Sequence, residues 1–331
     1  MRTEFISAGH YVPARTLANH DLTQWWETSD EWITERTGIR QRHWVEPGTQ
    51  AGSDLALEAA LIALGRADLK AGDIDCIVYA TLSPDYFFPG GGVYLQRKLG
   101  IGGVPAIDVR NQCTGFLYGL SVADAWIRMG QYKRVLLVGA EVHSTGMDYG
   151  PKGRDLGVLF GDGAGAVILG ATSDDGRGIL STHLYADGSF AEQLWCESDS
   201  SARFPRISHE DLDAGRHYPY MNGREVFRNA VKRMPESVHA ALEANHLSID
   251  DVDLLIAHQA NLRINEMVQK QLGLRDDQVY NNIDRFGNTT AATLPIAIDE
   301  CMQTGRLSRG DLMILTAFGS GFTWASAAIR W

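Results

Sequence analysis

Apolar and polar positions along the first half of the chain follow two different periods. Short apolar runs rich in valine, isoleucine and leucine predict strands, whereas apolar residues three or four positions apart predict amphipathic helices. The predicted strands are residues 4–7, 75–81, 106–109 and 134–141. The predicted helices are residues 53–64, 92–99 and 114–129, with a further helix start at residues 28–33. Strands that alternate with helices in this way predict an α/β fold.

The second half of the chain repeats this order at a nearly constant spacing. The repeated segments are 59–80 with 240–257, and 134–140 with 311–317. Asp251 of the first pair follows Asp73 by 178 positions, and the second pair is offset by 177 positions. Two separate segments with nearly one offset predict a duplicated α/β unit. We therefore expect two halves, residues 1–172 and residues 173–331.

The middle of the chain contains two glycine-containing stretches with different interpretations. Segment 170–219 is rich in Gly, Ser, Asp and Arg, and the overlapping segment 198–220 has weak periodicity, so we expect a long surface excursion. The glycines of 161–170 suggest a dinucleotide fingerprint, which requires a helix after the glycines. This run continues instead into the β-branched Val167 and Ile168. A nucleotide site is therefore disfavoured.

Composition and charge exclude several classes of protein. The 331 residues are 44% hydrophobic and 21% charged, which is ordinary for a soluble protein. The net charge of −11 opposes general nucleic-acid binding, although a local basic patch can recruit an acidic partner. The sequence shows neither a membrane-spanning apolar run of roughly 18 residues nor a signal peptide. The four cysteines are far apart without metal-site spacing, so we expect no metal site, no disulfide framework and a cytoplasmic location.

Cys113 differs from the other cysteines in its position. It lies between a strand-like run and the first turn of a predicted helix, beside the small residues Thr114 and Gly115. Unpaired N–H groups and the helix dipole at such a start favour an anion, so we expect this thiol to be shifted toward the nucleophilic thiolate. The alternative is a small buried apolar residue, which is our interpretation of Cys76 and Cys301.

The duplication predicts which residues join Cys113. Equivalent strand ends of two related halves lie close together around a pseudo-twofold axis, and in the second half they carry His258 and Asn288. Asn288 follows Cys113 by 175 positions, close to the offset between the halves. Alone, His258 could be a core-edge histidine and Asn288 a turn residue. The segment 317–322, after the last predicted strand, offers a backbone N–H group to a developing oxyanion.

Seven motifs together resemble the β-ketoacyl-acyl carrier protein synthase III family, whose members start fatty-acid synthesis. The motifs are TSDEWI at 28–33, RTGIR at 36–40, CTGF at 113–116, FGDGAGA at 160–166, HQANLR at 258–263, GNT at 287–289 and AFGSGFTW at 317–324. The resemblance covers nearly the whole chain. It implies a thiolase-like α/β fold in which two duplicated halves form five αβαβα layers.

The resemblance also implies a reaction, the decarboxylating Claisen condensation of an acyl-coenzyme A with malonyl-acyl carrier protein. Cys113 resembles the nucleophile that takes the acyl group. His258 and Asn288 resemble the pair that holds the malonyl thioester oxygen while carbon dioxide leaves. The backbone N–H groups of Cys113 and Ser320 would form the oxyanion hole. Neither a metal nor a cofactor beyond the two thioester substrates is implied.

Further residues resemble those that bind substrates and partners. Trp32 and Arg154 would enclose the adenine of coenzyme A, and Phe88 would close the acyl pocket of the other subunit in a homodimer. The remaining expected coenzyme A contacts are Arg36, Arg224 and Asn261. The residues expected to dock the acidic acyl carrier protein are Arg263, Arg228, Lys232, Arg233 and Lys270.

The sequence departs from the family pattern around the expected acyl and pantetheine channel. Residues 110–112 (RNQ) stand where small residues are usual, Arg224 replaces an asparagine, and Ser320 replaces a glycine. A longer or unusual acyl starter in a secondary-metabolite pathway is therefore an alternative within the family. In a different class, a cysteine thioesterase or hydrolase would use His258 as a base toward the thiol. A non-catalytic module that binds acyl carriers is a third interpretation.

Overall fold

The computed structural model describes residues 2–331. Within them the strands are β1 (Arg2–Tyr11), β2 (Thr16–Ala18), β3 (Gln41–His43), β4 (Cys76–Ala80), β5 (Ala106–Val109), β6 (Arg134–Glu141), β7 (Gly163–Thr172), β8 (Gly178–Ala186), β9 (Leu194–Cys196), β10 (Pro219–Met221), β11 (Leu254–Ala257), β12 (Val279–Tyr280), β13 (Leu312–Gly319) and β14 (Thr323–Arg330). The α-helices are α1 (Asp30–Thr37), α2 (Gly52–Arg66), α3 (Gly91–Leu99), α4 (Gly115–Arg128), α5 (Arg154–Gly157), α6 (His209–Asp213), α7 (Gly223–Ala244), α8 (Leu262–Leu272), α9 (Ile283–Phe286) and α10 (Thr293–Gln303). None of these helices combines the length and apolar character that crossing a membrane requires. Each strand and helix predicted for the first half is present, and β1 is longer than expected.

Two five-stranded sheets have the same strand order. The first runs β1-β7-β6-β4-β5 and the second runs β8-β14-β13-β11-β12. In the first sheet β4 is parallel to β5 and β6, whereas β7 is antiparallel to β6 and β1. The corresponding strands of the second sheet have the same relative directions. The predicted duplication is therefore confirmed, while the division of the chain at residue 172 stays a prediction.

The helices complete a five-layered arrangement. Between the sheets, α4 packs on β4 and β6 as well as on β8 and β14, and α10 packs on β1, β7 and β11. The outer face of the first sheet is covered by α2 and α3, and that of the second sheet by α7 and α8. The layers follow the order α-β-α-β-α, as the resemblance implies.

Burial on both faces explains why the central strands are continuous apolar runs. In β4, Cys76 and Val78 join the core around the central helices, whereas Ile77 and Tyr79 join the core under α2. Successive side chains of a strand point to opposite faces, so a strand with helices on both sides needs apolar residues throughout. The same arrangement holds the carboxyl ends of the parallel strands of both sheets near the central helices.

Two expectations about the second half are wrong. The expected surface excursion 170–219 contains β8, which pairs with β14 as the edge strand of the second sheet. Only its later part matches the expectation, since it carries the short α6 and the two-stranded sheet of β9 and β10. The segment 317–322 does not follow the last strand, because β13 runs to Gly319 and β14 begins at Thr323.

Candidate active site

Cys113 lies in a tight turn that joins β5 to α4. Residues Gln112–Thr114 form a single 3₁₀ turn, and α4 begins at Gly115. Cys113 is partly exposed as a residue, although its sulfur is closely surrounded by protein atoms. The Thr114 and Thr323 hydroxyls are hydrogen-bonded at 2.8 Å, which attaches the turn to β14 of the second sheet.

The loop between β13 and β14 packs directly on this turn. A Cβ atom at Gly319 would lie 2.7 Å from Cys113 Cβ and 3.2 Å from its Sγ, so only glycine permits the contact. The backbone N–H groups of Ser320 and of Cys113 itself lie close enough to the sulfur to lower its pKa. The Ser320 hydroxyl donates to the Leu194 carbonyl, which anchors the loop. Two N–H groups beside one sulfur are suited to hold an oxyanion.

The acidity expected for the Cys113 thiol from its position is wrong. Burial, and after it the negative charge of Glu141, raises the pKa of Cys113 to about 12. The N–H groups of Cys113 and Ser320 act in the opposite direction without overcoming these effects. Desolvation of an anion therefore outweighs stabilisation by the helix start. Burial therefore favours the protonated thiol in the free protein.

Glu141 is a buried carboxylate that connects the two halves next to Cys113. It accepts hydrogen bonds from the Thr81 hydroxyl at 3.1 Å, the Leu82 N–H at 3.2 Å and the Ser83 hydroxyl at 2.5 Å. It also accepts one from the Ala291 N–H of the second half at 3.4 Å. Burial raises the pKa of Glu141 to about 7, against the effect of these donors. Its position explains its influence on the thiol.

A second 3₁₀ turn, Thr290–Ala292, precedes α10 as the Cys113 turn precedes α4, and the two turns contact each other. Gln112 and Thr290 occupy the same place in the two turns, 178 positions apart, with φ values of +45° and +48°. Cys113 therefore corresponds to the residue after Thr290. The spacing of 175 positions between Cys113 and Asn288 therefore does not make Asn288 the equivalent of Cys113. Asn288 nevertheless lies beside the second turn.

Asn288 is held by backbone and side-chain hydrogen bonds. It forms a β-bridge with Phe160, in which its N–H donates to the Leu159 carbonyl at 2.8 Å and its carbonyl accepts from the Gly161 N–H at 3.1 Å. Its side chain is 5% exposed, and its Oδ1 accepts from the Thr290 N–H at 2.9 Å. Because a backbone N–H identifies this atom as the acceptor, the Nδ2 group remains as the donor.

His258 follows β11 directly and is neutral. Its N–H donates to the Thr316 carbonyl at 2.8 Å, and its Nδ1 lies 2.7 Å from the Thr293 hydroxyl at the start of α10. The residue is 2% exposed, and burial lowers the pKa of His258 to about 3. Its Nε2 is buried without a hydrogen-bond partner among residues 2–331. An unpaired buried nitrogen is costly, so this atom is suited to a ligand that pairs with it.

The glycine-rich stretch 160–166 supports the site and leads into β7, as the β-branched Val167 and Ile168 that follow it indicate. A Cβ atom at Gly161 would lie 2.2 Å from the Phe286 carbonyl oxygen, so glycine permits this close approach beside Asn288. The buried Asp162 accepts from the N–H of His143 at 2.7 Å. Across residues 2–331, no group of three or more His, Cys, Asp or Glu side chains is arranged to hold a metal ion.

Two of the residues expected to bind coenzyme A lie over the ring of Trp32 on α1. The guanidinium carbons of Arg36 and Arg154 are 4.5 Å and 4.6 Å from the ring centroid. Asn261 donates to the Arg36 carbonyl at 3.0 Å, while its Oδ1 caps α8 at 2.9 Å. Arg224 is exposed at the second position of α7.

The residues expected to contact proteins are mostly exposed. Phe88 is 79% exposed at the tip of the loop before α3. The expected docking cations on α7 and α8, two helices that pack against each other, are Arg228, Lys232, Arg263 and Lys270. Arg233 differs, because it is only partly exposed and its guanidinium lies over the Trp324 ring at 4.8 Å. Both Arg233 and Arg228 pair with a glutamate of α7, Glu236 at 2.9 Å and Glu225 at 2.5 Å.

Sequence reasoning missed four residues around the site. They are Glu141, His143, Thr290 and Thr293. Glu141 carried a usable signal, because a carboxylate that ends an otherwise apolar buried strand needs several donors. The other three carried none, since their contacts join segments that are distant in the sequence.

Comparisons with known proteins cover nearly the whole chain. Residues 107–188 match the family described as 3-Oxoacyl-[acyl-carrier-protein (ACP)] synthase III, and residues 242–331 match its C-terminal family. A Beta-ketoacyl-[acyl-carrier-protein] synthase III of Xylella fastidiosa is 47% identical over 323 residues, 98% of this chain and 96% of that protein. The protein of the same name in Caldanaerobacter subterraneus is 44% identical over 326 residues, 98% of this chain and 97% of that one.

The solved structures support the fold. The crystal structure of 3-oxoacyl-[acyl-carrier-protein] synthase III from Aquifex aeolicus VF5 matches with a TM-score of 0.90 at 39% identity. The match covers 99% of this chain and 100% of that chain. Together with the two five-stranded sheets, this match confirms the predicted thiolase fold.

Proposed function

This chain belongs to the β-ketoacyl-acyl carrier protein synthase III family, and we propose that it condenses an acyl-coenzyme A starter with malonyl-acyl carrier protein. Carbon dioxide and coenzyme A are released, and Cys113, His258 and Asn288 carry the chemistry. The observation that carries the proposal is the contact between the two 3₁₀ turns. One turn contains Cys113, whose sulfur lies beside two backbone N–H groups. Beside the other turn lie His258 and Asn288, two buried side chains with free donors.

The first step transfers the acyl group to Cys113. Its sulfur attacks the thioester carbonyl, the carbon–sulfur bond to coenzyme A breaks, and the thiol proton leaves with coenzyme A. The N–H groups of Cys113 and Ser320 stabilise the oxyanion that forms on the way. Because the pKa of Cys113 is about 12 in the free protein, proton transfer belongs to this step and does not precede it.

The second step removes carbon dioxide from the malonyl thioester beside His258 and Asn288. The electron pair of the broken carbon–carbon bond forms an enolate, whose negative charge lies on the thioester oxygen. The Thr293 hydroxyl is 2.7 Å from His258 Nδ1, and when it donates there, the proton of the neutral imidazole lies on Nε2. That N–H and the Asn288 Nδ2 group then donate to the enolate oxygen, which favours the transition state over the bound substrate.

The third step forms the new carbon–carbon bond. The enolate carbon attacks the acyl thioester of Cys113, and the N–H groups of Cys113 and Ser320 again hold the oxyanion. Collapse of this intermediate breaks the bond to the Cys113 sulfur, which takes up a proton. The product is a β-ketoacyl-acyl carrier protein. No step changes the net oxidation state, so the reaction needs no electron carrier.

The surroundings of His258 disfavour a cysteine hydrolase. A histidine that activates a thiol must be bonded to it, whereas His258 Nε2 has no partner within residues 2–331. With a pKa of about 3, His258 is also a weak base at neutral pH. The names of the relatives favour neither the hydrolase nor a secondary-metabolite starter.

The proposal is tested by incubating the protein with acyl-coenzyme A thioesters of increasing chain length and then with malonyl-acyl carrier protein. We expect a covalent adduct with the mass of the acyl group, followed by its loss and the appearance of a β-ketoacyl-acyl carrier protein. Intact-protein mass spectrometry measures both. Rapid release of free acid without a malonyl donor, or carrier binding without an adduct, would contradict the proposal.

Arg154 and Trp32 are proposed to hold the adenine of coenzyme A. A stacked base needs about 3.5 Å from each face, so Arg154 has to move away from the ring as the base enters. We expect Arg154→Ala to raise the KM for acyl-coenzyme A about 10-fold, with a smaller effect on kcat, because the contact is at the nucleotide end. Steady-state kinetics measures this split.

The matched control for Arg154 is Arg309→Ala. Each arginine pairs with an aspartate at 3.0 Å, Arg154 with Asp155 and Arg309 with Asp174, but of the two only Arg154 lies over the Trp32 ring. Arg309→Ala should leave the KM unchanged. An unchanged KM for Arg154→Ala, or an equal rise in both variants, would contradict the proposed contact.

Two surfaces are proposed for protein partners. The exposed cations of α7 and α8, defined above, offer a basic surface to an acidic carrier protein on a chain of net charge −11. The aromatic loop of Tyr86, Phe87 and Phe88 is 61%, 57% and 79% exposed, an apolar patch that a second copy in a homodimer would cover. Phe88 would then reach the acyl pocket of that copy.

The proposed site of action is the cytoplasm. All four cysteines within residues 2–331 are free thiols. Cys113 has to stay reduced to accept an acyl group, and a reducing compartment maintains it in that state.

A further inference from the structure

Thr290 connects the groups that are proposed to decarboxylate the malonyl substrate. Its φ of +48° lies in the left-handed region, where a β-branched residue is strained. Its N–H donates to Asn288 Oδ1 at 2.9 Å, and its carbonyl oxygen lies 3.1 Å from the Thr293 hydroxyl oxygen, in direct contact with the group that donates to His258 in the proposed reaction. Thr293 is the residue that contacts His258 Nδ1 at 2.7 Å. A shift of Thr290 would therefore move both Asn288 and His258.

His143 holds the side chain of this strained residue. Its Nε2 lies 2.7 Å from the Thr290 hydroxyl. His143 is fixed independently, because its N–H donates to Asp162 at 2.7 Å and its ring lies 4.6 Å from the ring of Phe160. Phe160 is also the β-bridge partner of Asn288. His143 is thus anchored to the segment that supports Asn288 and binds the turn that orients it.

We propose that His143 is a positioning residue for the decarboxylation half of the reaction. Its hydrogen bond keeps Thr290 in the conformation that directs Asn288 and, through Thr293, His258. This inference rests on the proposed function. The acyl-transfer half depends instead on Cys113 and on the loop after β13, so His143 acts on one half-reaction only.

Two single variants and their combination test the proposal. His143→Phe keeps an aromatic ring against Phe160 but cannot bond Thr290, and Thr290→Val keeps the β-branch but lacks the hydroxyl. We expect each to slow the conversion of malonyl- to acetyl-acyl carrier protein about 10-fold, while acyl-adduct formation at Cys113 changes less than about twofold. The double variant should lose no more than either single one, because both delete one contact.

A conservative variant and a matched control complete the test. His143→Gln retains a group that can bond the Thr290 hydroxyl and should recover part of the decarboxylation rate. His183→Phe makes the same substitution on β8, where the imidazole contacts Ser181 at 2.9 Å, and should leave both half-reactions at the wild-type rate.

The outcomes separate this inference from the proposed function. If a variant slows both half-reactions equally, or if the losses of decarboxylation rate in His143→Phe and Thr290→Val add up in the double variant, the role of His143 is overturned. Either result leaves the proposed function in place. If His143→Phe does not fold, Thr290→Val still tests the role of His143. A wild-type rate of decarboxylation in Thr290→Val would overturn that role. A wild-type protein that forms no acyl adduct and does not decarboxylate malonyl-acyl carrier protein would overturn the proposed function itself.

Discussion

Cys113→Ala is expected to eliminate the covalent acyl adduct and to slow condensation on the order of 10⁴-fold or more, because no other group can carry the acyl chain between the two substrates. Intact-protein mass spectrometry after mixing with acyl-coenzyme A measures the adduct, and formation of the β-ketoacyl product measures the condensation. Removal of one sulfur atom from a partly exposed side chain leaves the fold intact, so thermal unfolding should change little.

Cys196→Ala is the matched control for this substitution. Cys196 is an exposed free thiol on β9, so it tests whether acylation is a general property of accessible cysteines. Cys196→Ala should form the adduct at the wild-type rate. Cys113→Ala should retain decarboxylation of malonyl-acyl carrier protein, because His258 and Asn288 are unchanged. An adduct that persists in Cys113→Ala, or disappears in Cys196→Ala, would contradict Cys113 as the nucleophile.

His258→Ala is expected to have the second-largest effect, and on the other half-reaction. Loss of one of two donors to the enolate oxygen should slow decarboxylation about 10²- to 10³-fold. Acyl-adduct formation should continue, because His258 Nε2 is not bonded to the thiol in the described chain. Mass analysis of malonyl-acyl carrier protein and of the protein adduct measures the two effects separately. Equal loss of both would support the hydrolase mechanism, in which the histidine activates the thiol.

The pH dependence of decarboxylation provides a second test of His258. Burial lowers the pKa of His258 to about 3, so the imidazole stays neutral as the pH falls from about 8 to about 5. Since this donor does not titrate between these pH values, we expect no loss of decarboxylation rate near pH 6.5, which is the ordinary pKa of a histidine side chain. An apparent pKa near 6.5 in the wild-type profile that is absent from a His258→Gln profile would contradict a buried neutral histidine.

Much of the fold was predictable because burial dictates the pattern of its core elements. The strands β4, β5 and β6 and the helices α2, α3 and α4 were identified from periodicity, since each is covered on at least one face by apolar neighbours. The edge strand β8 was not identified. Its sequence, GILSTHLYA, mixes apolar residues with Ser, Thr and His, because an edge strand is only partly covered. Its pairing with β14 is a long-range contact that local sequence does not reveal.

The main residues of the candidate site could be predicted from the sequence, whereas their exact correspondence and their supporting contacts could not. The duplicated order directed attention to Cys113, His258 and Asn288, and the structure brings their segments together through the two turns. The correspondence of individual positions was wrong, because the second turn begins two residues after Asn288. The contacts of His143 with Thr290 and of Thr293 with His258 could not be predicted, since each joins segments that are distant in the sequence.

The sequence by itself determined the α/β order, the duplication and the chemical types of the groups in the site, because these depend on periodicity and on residue identity. Only the tertiary structure decided how those groups ionise. A cysteine at a helix start is expected to be acidic, yet burial and the Glu141 carboxylate raise the pKa of Cys113 to about 12. The physical reason is that desolvation and charge–charge energies depend on every neighbour in space, whereas the sequence specifies only the neighbours along the chain.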